Sequence, residues 1–314
     1  MSYELRPDET IGDGIQRIVC HEIKEAINAS GAKQNGKGSP VHDTRRHLKK
    51  ARAALRLAVG QVDQSVWRKA DRSLRKVGQL ISEVRDAEVR LQTVRQLRQF
   101  AKGKKRSFRE TEELLAFELD SFLAAFSEWP EEAKQRLTQA LDHIGAWRLD
   151  GLSSKQLRKC VQKTYKRGRD ALKVAIEKAN TKRLHTFRKR AKELDYQLRI
   201  LRPIAPAVFG ELDDELKAIG RCLGQFHDLV FVAERLASIR PARKRGDRIL
   251  NSLIDTREKE LEETAIALGE RFYAERPRQF SRRIARYFSK WKTIKTHCPS
   301  PGTRSVTLSK LSEV

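Results

Sequence analysis

One stretch of the sequence carries cationic side chains at intervals that place them on a single helical face. The row comprises His42, Arg45, Arg46, Lys49 and Arg56. Because each residue turns an α-helix by about 100°, these positions form one stripe, roughly 21 Å long. Arginine donates parallel hydrogen bonds to two phosphate oxygens, and lysine adds a mobile positive charge. The spacing therefore indicates an anion-binding surface.

The same row recurs in the second half of the chain, where His185 lies 143 positions after His42. The second row comprises His185, Arg188, Lys189, Lys192 and Arg199. Like charges at i,i+3 and i,i+4 each destabilise a helix by a few tenths of a kcal/mol, so both rows oppose folding. A bound anion would reverse that effect. One such row alone is typical of a solvated face, whereas two matched rows favour binding.

Further cations repeat with nearly the same spacing. The additional candidate pairs are Arg17 with Lys159, Lys24 with Lys166, and Arg85 with His227. Asp86 and Asp228 follow the last pair, and we predict that each orients a neighbouring arginine or histidine, because carboxylates repel phosphate. Two copies of one helical unit are the simplest account of this self-similarity. A pseudo-two-fold arrangement would bring the two rows together across a furrow or central channel.

The overall charge points to a polyanionic partner without identifying it. The chain has 66 Lys+Arg against 41 Asp+Glu, a formal net charge of +25. Such a charge opposes a compact fold by self-repulsion unless a polyanion relieves it. DNA, RNA, anionic lipid and inorganic phosphate chains all remain candidates on charge alone.

Several other chemistries find no support in the sequence. The four cysteines, Cys20, Cys160, Cys222 and Cys298, lie far apart without a CxxC motif, and no HExxH occurs. We therefore expect free thiols in a reducing compartment, and neither a metal nor an organic cofactor. The N-terminus has no apolar signal segment, and no run of 18 apolar residues is present. A cytoplasmic protein with no membrane partner is the expectation.

Helical periodicity runs through nearly the whole chain, and we find no convincing strand. Ser39-Pro40 is typical of an N-cap followed by proline at the first helical position. Helices are predicted at about 8–29, 40–59, 63–100, 108–127, 131–147, 155–179, 181–201, 207–239, 247–271 and 277–290. The basic tract 102–106 is predicted to be a loop, and residues 293–314 a disordered tail.

At these residues the chain resembles the CHAD family, the conserved histidine α-helical domain. The first motif is His42-x-x-Arg45-Arg46-x-x-Lys49-Lys50-x-Arg52, and the second is His185-x-x-Arg188-Lys189-Arg190-Ala191-Lys192-x-x-x-Tyr196. An Arg-Asp or a His-Asp pair follows each motif, at Arg85 and His227. The resemblance spans about residues 8–290, with a first repeat at about 8–147 and a second at about 153–290.

The resemblance implies an all-α fold of two similar four-helix bundles around a basic central cavity. It also implies binding of inorganic polyphosphate, in some members with recruitment to polyphosphate granules. The family's basic residues correspond here to His42, Arg45, Arg46, Lys49, Arg52, Arg56, His185, Arg188, Lys189, Lys192 and Arg199. Asp195 departs from the pattern, because the family often has a basic residue there, opposite Arg52 in the repeat.

The basic rows and the resemblance are compatible with three functions. Polyphosphate binding is the favoured hypothesis, and we expect it to weaken with salt and to strengthen as the pH falls through about 6.5, where histidines gain protons. A nucleic-acid binder is the alternative, although single-strand binders intersperse aromatic residues and the rows have only Tyr196 nearby. An enzyme acting on phosphate chains is disfavoured, since the sequence has no GxxxxGK[ST] motif and no paired carboxylates to hold a metal.

Overall fold

The computed structural model describes residues 2–32, 39–100, 108–239 and 245–294, and within these ranges the regular structure is entirely helical. The basic tract at 102–106 lies outside the described residues, as do residues 295–314 of the predicted tail. The tail begins later than predicted, because Thr293 and Ile294 belong to the last helix. Every helix in the described ranges is too short or too polar to cross a membrane.

The described residues of the first half form six α-helices. They are α1 (Ile11–Ser30), α2 (Pro40–Leu55), α3 (Gln64–Leu80), α4 (Ser82–Phe100), α5 (Arg109–Ala125) and α6 (Trp129–Gly145). A short 3-10 helix, Arg56–Ala58, extends α2. The predicted cap of α2 is confirmed, since the Ser39 hydroxyl accepts a hydrogen bond from the His42 amide and Pro40 is the first helical residue. The cap fixes where the first basic row begins.

Five α-helices are formed by the part of the second half that the structure describes. They are α7 (Ser154–Glu177), α8 (Thr181–Ile200), α9 (Pro206–Ile239), α10 (Arg245–Phe272) and α11 (Pro277–Ile294), with a 3-10 helix at Arg202–Ile204 after α8. Ser153 and Gln156 form a reciprocal capping box at the start of α7. The Asn180 side chain accepts from the Arg183 amide and caps α8, which carries the second basic row.

The prediction of one unbroken helix at 63–100 was wrong. The chain leaves helical geometry at Ile81, whose φ is −103° and ψ is 18°, so the segment forms α3 and α4. The Ser82 hydroxyl donates to the Gln79 carbonyl at 2.6 Å and thus competes with the backbone for this acceptor. At the matching position α9 has Gly224, which offers no hydroxyl, and α9 continues without a break.

The helices pack in similar pairs in the two halves. In the first half α1 packs against α2 and α6, and α4 against α5; in the second half α7 packs against α8 and α11, and α9 against α10. Contacts between the halves are made by α2 with α8 and by α4 with α9. Fully buried side chains such as Leu48 and Leu194 join both halves in one apolar core. Burial of each such side chain contributes about 1.5–3 kcal/mol.

Candidate anion-binding site

The packing of α2 against α8 brings the two basic rows together. The clearest sign is Lys49 on α2, because positive charges from both halves act on its ammonium group. Arg45 and Arg85 lie nearby in the first half, and Arg188 and Lys192 approach from the second. These charges and, above all, desolvation lower the pKa of Lys49 to about 7.

Nine side chains on four helices interact in this region, and we refer to them together as the basic cluster. Helices α2 and α8 carry the rows, while α4 and α9 each add one residue. The members of the basic cluster are His42, Arg45, Lys49, Arg85, His185, Arg188, Lys189, Lys192 and His227. The pair Arg85 and His227, predicted from the repeat, therefore lies beside both rows.

Lys49 and His42 are exposed to solvent, yet desolvation is the first cause of the lowered pKa of each. Neighbouring protein atoms therefore remove part of the water around each of these groups, although solvent still reaches their side chains. In such a place the local dielectric is lower than in bulk water, so the charges of the cluster act strongly on one another and on a ligand.

The histidines of the cluster are held neutral. The ring centroids of His185 and His227 are 4.4 Å apart. Burial, followed by nearby cations, lowers the pKa of His185 to about 4 and that of His227 to about 3. The pKa of His42 is also lowered, by desolvation and then by Arg85. Burial and the surrounding cations thus oppose a positive charge on each ring in the free protein. That affinity rises as the pH falls through about 6.5 stays a prediction.

Each row has one arginine next to a carboxylate of the same half. Asp86 is the nearest favourable charge for Arg45, and Asp228 has the same relation to Arg188. Arg45 also donates from Nη1 to the Gly78 carbonyl at 2.8 Å. Burial raises the pKa of both aspartates, although the arginines counteract it. That the two carboxylates orient these arginines stays a prediction.

Some hydrogen-bonding atoms of the cluster are buried without a partner. Within the part of the chain that the structure describes, Nδ1 of His185, Nδ1 of His227 and Nε of Arg188 make no hydrogen bond. Leaving a buried polar atom unpaired costs about 1–3 kcal/mol. Three such atoms in one place indicate a site that is completed by a further molecule.

Gly220 on α9 was not recognised from the sequence. A Cβ atom at this position would lie 2.8 Å from Cε of Lys192, so glycine lets the lysine side chain cross the helix surface. At Gly224, one turn later, a Cβ atom would only touch the Arg188 guanidinium at 3.6 Å, an ordinary van der Waals contact. Glycine in the middle of a helix costs about 1 kcal/mol relative to alanine, and that cost was the available signal.

Several predicted site residues are engaged in ion pairs outside the cluster. The pairs are Arg17 with Glu9, Arg46 with Asp43, Arg52 with Asp71, Arg56 with Glu193, and Lys166 with Asp170. The structure does not bring these cations to the basic cluster, with one partial exception. Arg46 still acts on the neighbouring His42 and lowers its pKa. Glu9, Asp71 and Glu193 come from other segments, which helical spacing could not reveal, whereas Asp43 and Asp170 lie one turn away on the same helix as their partners.

Three further predicted residues lie apart from the cluster. Lys24 is exposed on α1. Arg199 lies against the ring of Tyr3, with its guanidinium carbon 5.9 Å from the ring centroid. Lys159 lines a different cavity, together with Arg56.

Asp195, which departs from the repeat, forms part of a buried acidic pair. Asp195 and Asp213 interact directly, and the side chain of each is 2% exposed. Lys192 donates to Asp195 at 3.1 Å, and Lys217 lies 2.6 Å from Asp213. Burial and the second carboxyl raise the pKa of Asp195 to about 6. In the first half the equivalent place holds the bidentate pair of Arg52 and Asp71.

Fold and site together define an all-helical protein in which two cationic helix faces converge. A protein-family model described as the CHAD domain matches residues 26–237, more than half of the 314-residue chain. The match begins in α1, ends in α9 and includes every member of the basic cluster. The chain belongs to the CHAD domain family. A search of curated proteins gave no match.

Proposed function

We propose that this protein binds inorganic polyphosphate in the basic cluster and does not transform it. The observation that carries the proposal is the convergence of cations from both halves on Lys49, whose pKa falls to about 7. Like charges held this closely are unfavourable without a ligand and become favourable when a polyanion lies among them. Membership of a family generally associated with polyphosphate binding supports the same ligand.

The arrangement of the halves is part of the proposal. We take residues 8–147 and 153–290 as two similar units about a pseudo-two-fold axis, with the basic cluster in a cavity between them. The equivalent helix pairs, α1 with α2 and α7 with α8, support this arrangement, as do the contacts of α2 with α8 and α4 with α9. A linear ligand along the axis would then meet an arginine, a lysine and a histidine from each unit.

A phosphate chain fits the cluster better than a nucleic acid does. Non-specific binders of single strands stack successive bases on aromatic side chains. Two aromatic residues, Phe187 and Tyr196, lie within the span of the second row. Phe187 is fully buried, and the Tyr196 ring is already covered by the Lys192 ammonium, 5.9 Å from the centroid. The rings of His185 and His227 lie against each other. Phosphate groups are bound by positive charges and hydrogen-bond donors, and the cluster supplies both.

Binding without catalysis follows from the state of the carboxylates. Phosphoryl transfer normally requires a metal ion held by acidic side chains. Glu88 pairs with Arg85 at 3.0 Å and Asp195 with Lys192 at 3.1 Å. Asp86 and Asp228 are each the strongest favourable charge for one arginine. Their function in the proposal is to orient Arg45 and Arg188. Binding of this kind would also recruit the protein to polyphosphate granules.

Titration with long-chain polyphosphate tests the site. In Arg45→Ala/Arg188→Ala, loss of two charge-assisted contacts should weaken binding about 100-fold, since each contact contributes roughly 1.5–3 kcal/mol. The matched control is Arg72→Ala/Arg282→Ala, which removes two exposed arginines from α3 and α11. Calorimetry gives both affinities, and circular dichroism confirms that both variants are folded.

Equal weakening in the two variants would show that net charge alone is responsible and would refute the assignment of the site.

Competition between polyphosphate and single-stranded RNA distinguishes the proposed function from nucleic-acid binding. Polyphosphate should displace single-stranded RNA at a far lower phosphate concentration than RNA displaces polyphosphate. The opposite order would favour a nucleic-acid binder.

A further inference from the structure

A second cationic recess lies outside the basic cluster. It has a volume of about 430 Å³ and is formed where the end of α2 and the start of α3 meet the side of α7. The cations along its wall are Arg56, Arg68, Lys159, Lys163 and Arg167. None of the nine cluster residues lines it, so the recess is a separate site. Its volume lies within the range of about 300–1,000 Å³ that is usual for small-molecule pockets.

Four of these cations have no anionic partner among the residues that the structure describes. Arg56 is paired with Glu193 at 3.4 Å, whereas the other four form neither an ion pair nor a hydrogen bond with described residues. Glu193 is the single carboxylate on the wall, and Arg190 also pairs with it. The recess therefore has a large excess of unneutralised positive charge.

The recess also has an aromatic and apolar side. Trp67 lines it, and the indole N–H is already committed to the Leu55 carbonyl at 3.0 Å, so the ring can offer only its face and edges to a ligand. Val59 at the rim is 47% exposed, which is unusual for a valine in this protein. A phosphate chain has no apolar surface to pack on such a wall, whereas a planar ring can stack on the indole and contact the valine.

The equivalent place in the first half is already filled by the N-terminal segment. The repeat relates Arg56 to Arg199 and Lys159 to Arg17. Tyr3 lies against Arg199 and against Lys50, whose ammonium is 4.8 Å from the ring centroid. Glu9 forms two hydrogen bonds to Arg17, at 2.6 and 2.7 Å. An aromatic ring and an anionic group thus occupy the place that is open in the second half.

We propose that the open recess binds a nucleoside di- or triphosphate, independently of the basic cluster. The base packs on Trp67 and Val59, and the phosphates contact Lys159, Lys163 and Arg68. The ligand reproduces the two kinds of group that Tyr3 and Glu9 supply in the first half. No reaction is involved.

Binding of ATP, followed by calorimetry and by tryptophan fluorescence, tests the proposal against inorganic tripolyphosphate. ATP should bind at least about ten-fold more tightly, because tripolyphosphate has no ring. In Lys159→Ala/Lys163→Ala the ATP affinity should fall about ten-fold or more, while the affinity for long-chain polyphosphate stays within about two-fold of wild type. Lys155→Ala/Lys173→Ala removes two exposed lysines from the same helix and should change neither affinity.

Trp67→Phe keeps a ring in the wall and should retain ATP binding by calorimetry while losing the fluorescence response. Equal affinities for ATP and tripolyphosphate would overturn the proposal. So would ATP binding that is lost in Arg45→Ala/Arg188→Ala and unchanged in Lys159→Ala/Lys163→Ala, because the nucleotide would then occupy the basic cluster. Since each site has its own variant, the nucleotide site and the polyphosphate site can fail independently of each other.

Discussion

Lys49 is the residue at which the electrostatic character of the cluster can be measured directly. In the free protein its pKa is about 7, lowered by desolvation and by four neighbouring cations. A bound polyanion favours the protonated amine and raises the pKa towards its usual value near 10.5. Affinity for polyphosphate should therefore be greatest below pH 7 and fall as the pH rises above it. The histidines contribute a further gain only under more acidic conditions, since their pKa values in the free protein are lower.

Proton uptake on binding provides the measurement. At pH 8 we expect uptake of about one proton per molecule by Lys49, because roughly nine-tenths of free molecules then have the neutral amine. Calorimetry in two buffers of different ionisation enthalpy gives this number. Lys49→Arg keeps the charge and should abolish the uptake at pH 8. Undiminished uptake in Lys49→Arg would mean that another group titrates.

The buried pair of Asp195 and Asp213 predicts a pH dependence of stability rather than of binding. The pKa of Asp195 is raised to about 6, above its value in the unfolded chain. Such a group stabilises the fold at pH values below the unfolded pKa, and that contribution is lost as the pH rises through the folded pKa. Asp195→Asn resembles the protonated form permanently. We therefore expect it to be more stable than wild type at pH 7.5, by about 1–3 kcal/mol, with the advantage shrinking towards pH 4.

Chemical denaturation at several pH values checks this expectation. Asp71→Asn, at the position equivalent to Asp213, is the informative comparison. It leaves Arg52 without its bidentate partner and should destabilise the fold at pH 7.5. A loss of stability at pH 7.5 in Asp195→Asn would contradict the raised pKa.

At the scale of secondary structure, the sequence predicted which segments are helical and where most of them begin. Ser39 caps α2 as predicted, because capping depends on neighbours within four residues. The capping box of Ser153 at the start of α7 was not predicted. The break at Ile81 was missed, since apolar periodicity continues across it. It depends on one hydroxyl competing for one carbonyl.

Prediction of the site was limited for a different reason. Helical spacing put Arg45 and Lys49 in one row and Arg188 in the other, and in the structure these side chains lie close enough to act on one another. It could not show that Arg17 and Arg52 are neutralised, because Glu9 and Asp71 come from other segments. Matching positions in a repeat share a backbone environment, but their ion pairs depend on residues that the repeat does not preserve.

Gly220 shows how helix α9 controls the position of a ligand-binding side chain. In Gly220→Ala the new methyl group would meet the far end of Lys192 and displace it from its course. Alanine stabilises a helix interior by about 0.5–1 kcal/mol relative to glycine, so the variant should be slightly more stable while it binds polyphosphate about three- to ten-fold more weakly. Gly210→Ala lies on the same helix, with nothing within 4 Å of the added carbon. It should gain stability with unchanged affinity, and equal affinities in both variants would argue against a contact from Lys192.

At the scale of the whole molecule, the net charge of +25 makes salt act in opposite directions on the free and the bound protein. Salt screens self-repulsion, so the melting temperature of the free protein should rise with sodium chloride. Saturating polyphosphate should raise it at low salt by several degrees, since a ligand at about 100 times its Kd contributes about 2.7 kcal/mol. Counterion release makes that contribution fall steeply as salt increases.

Between about 0.05 and 1 M salt, the melting temperature should rise for the free protein and fall for the protein with polyphosphate, so the two values should converge. Arg45→Ala/Arg188→Ala should lose most of the ligand-induced increase at low salt and also melt higher than wild type when free, because the crowding around Lys49 is relieved. Arg72→Ala/Arg282→Ala has the same net charge and should keep the ligand effect. If both variants behaved alike, the ligand-induced rise in melting temperature would depend on the total charge of +25 and not on a particular site. The convergence of the rows would then have no consequence for binding.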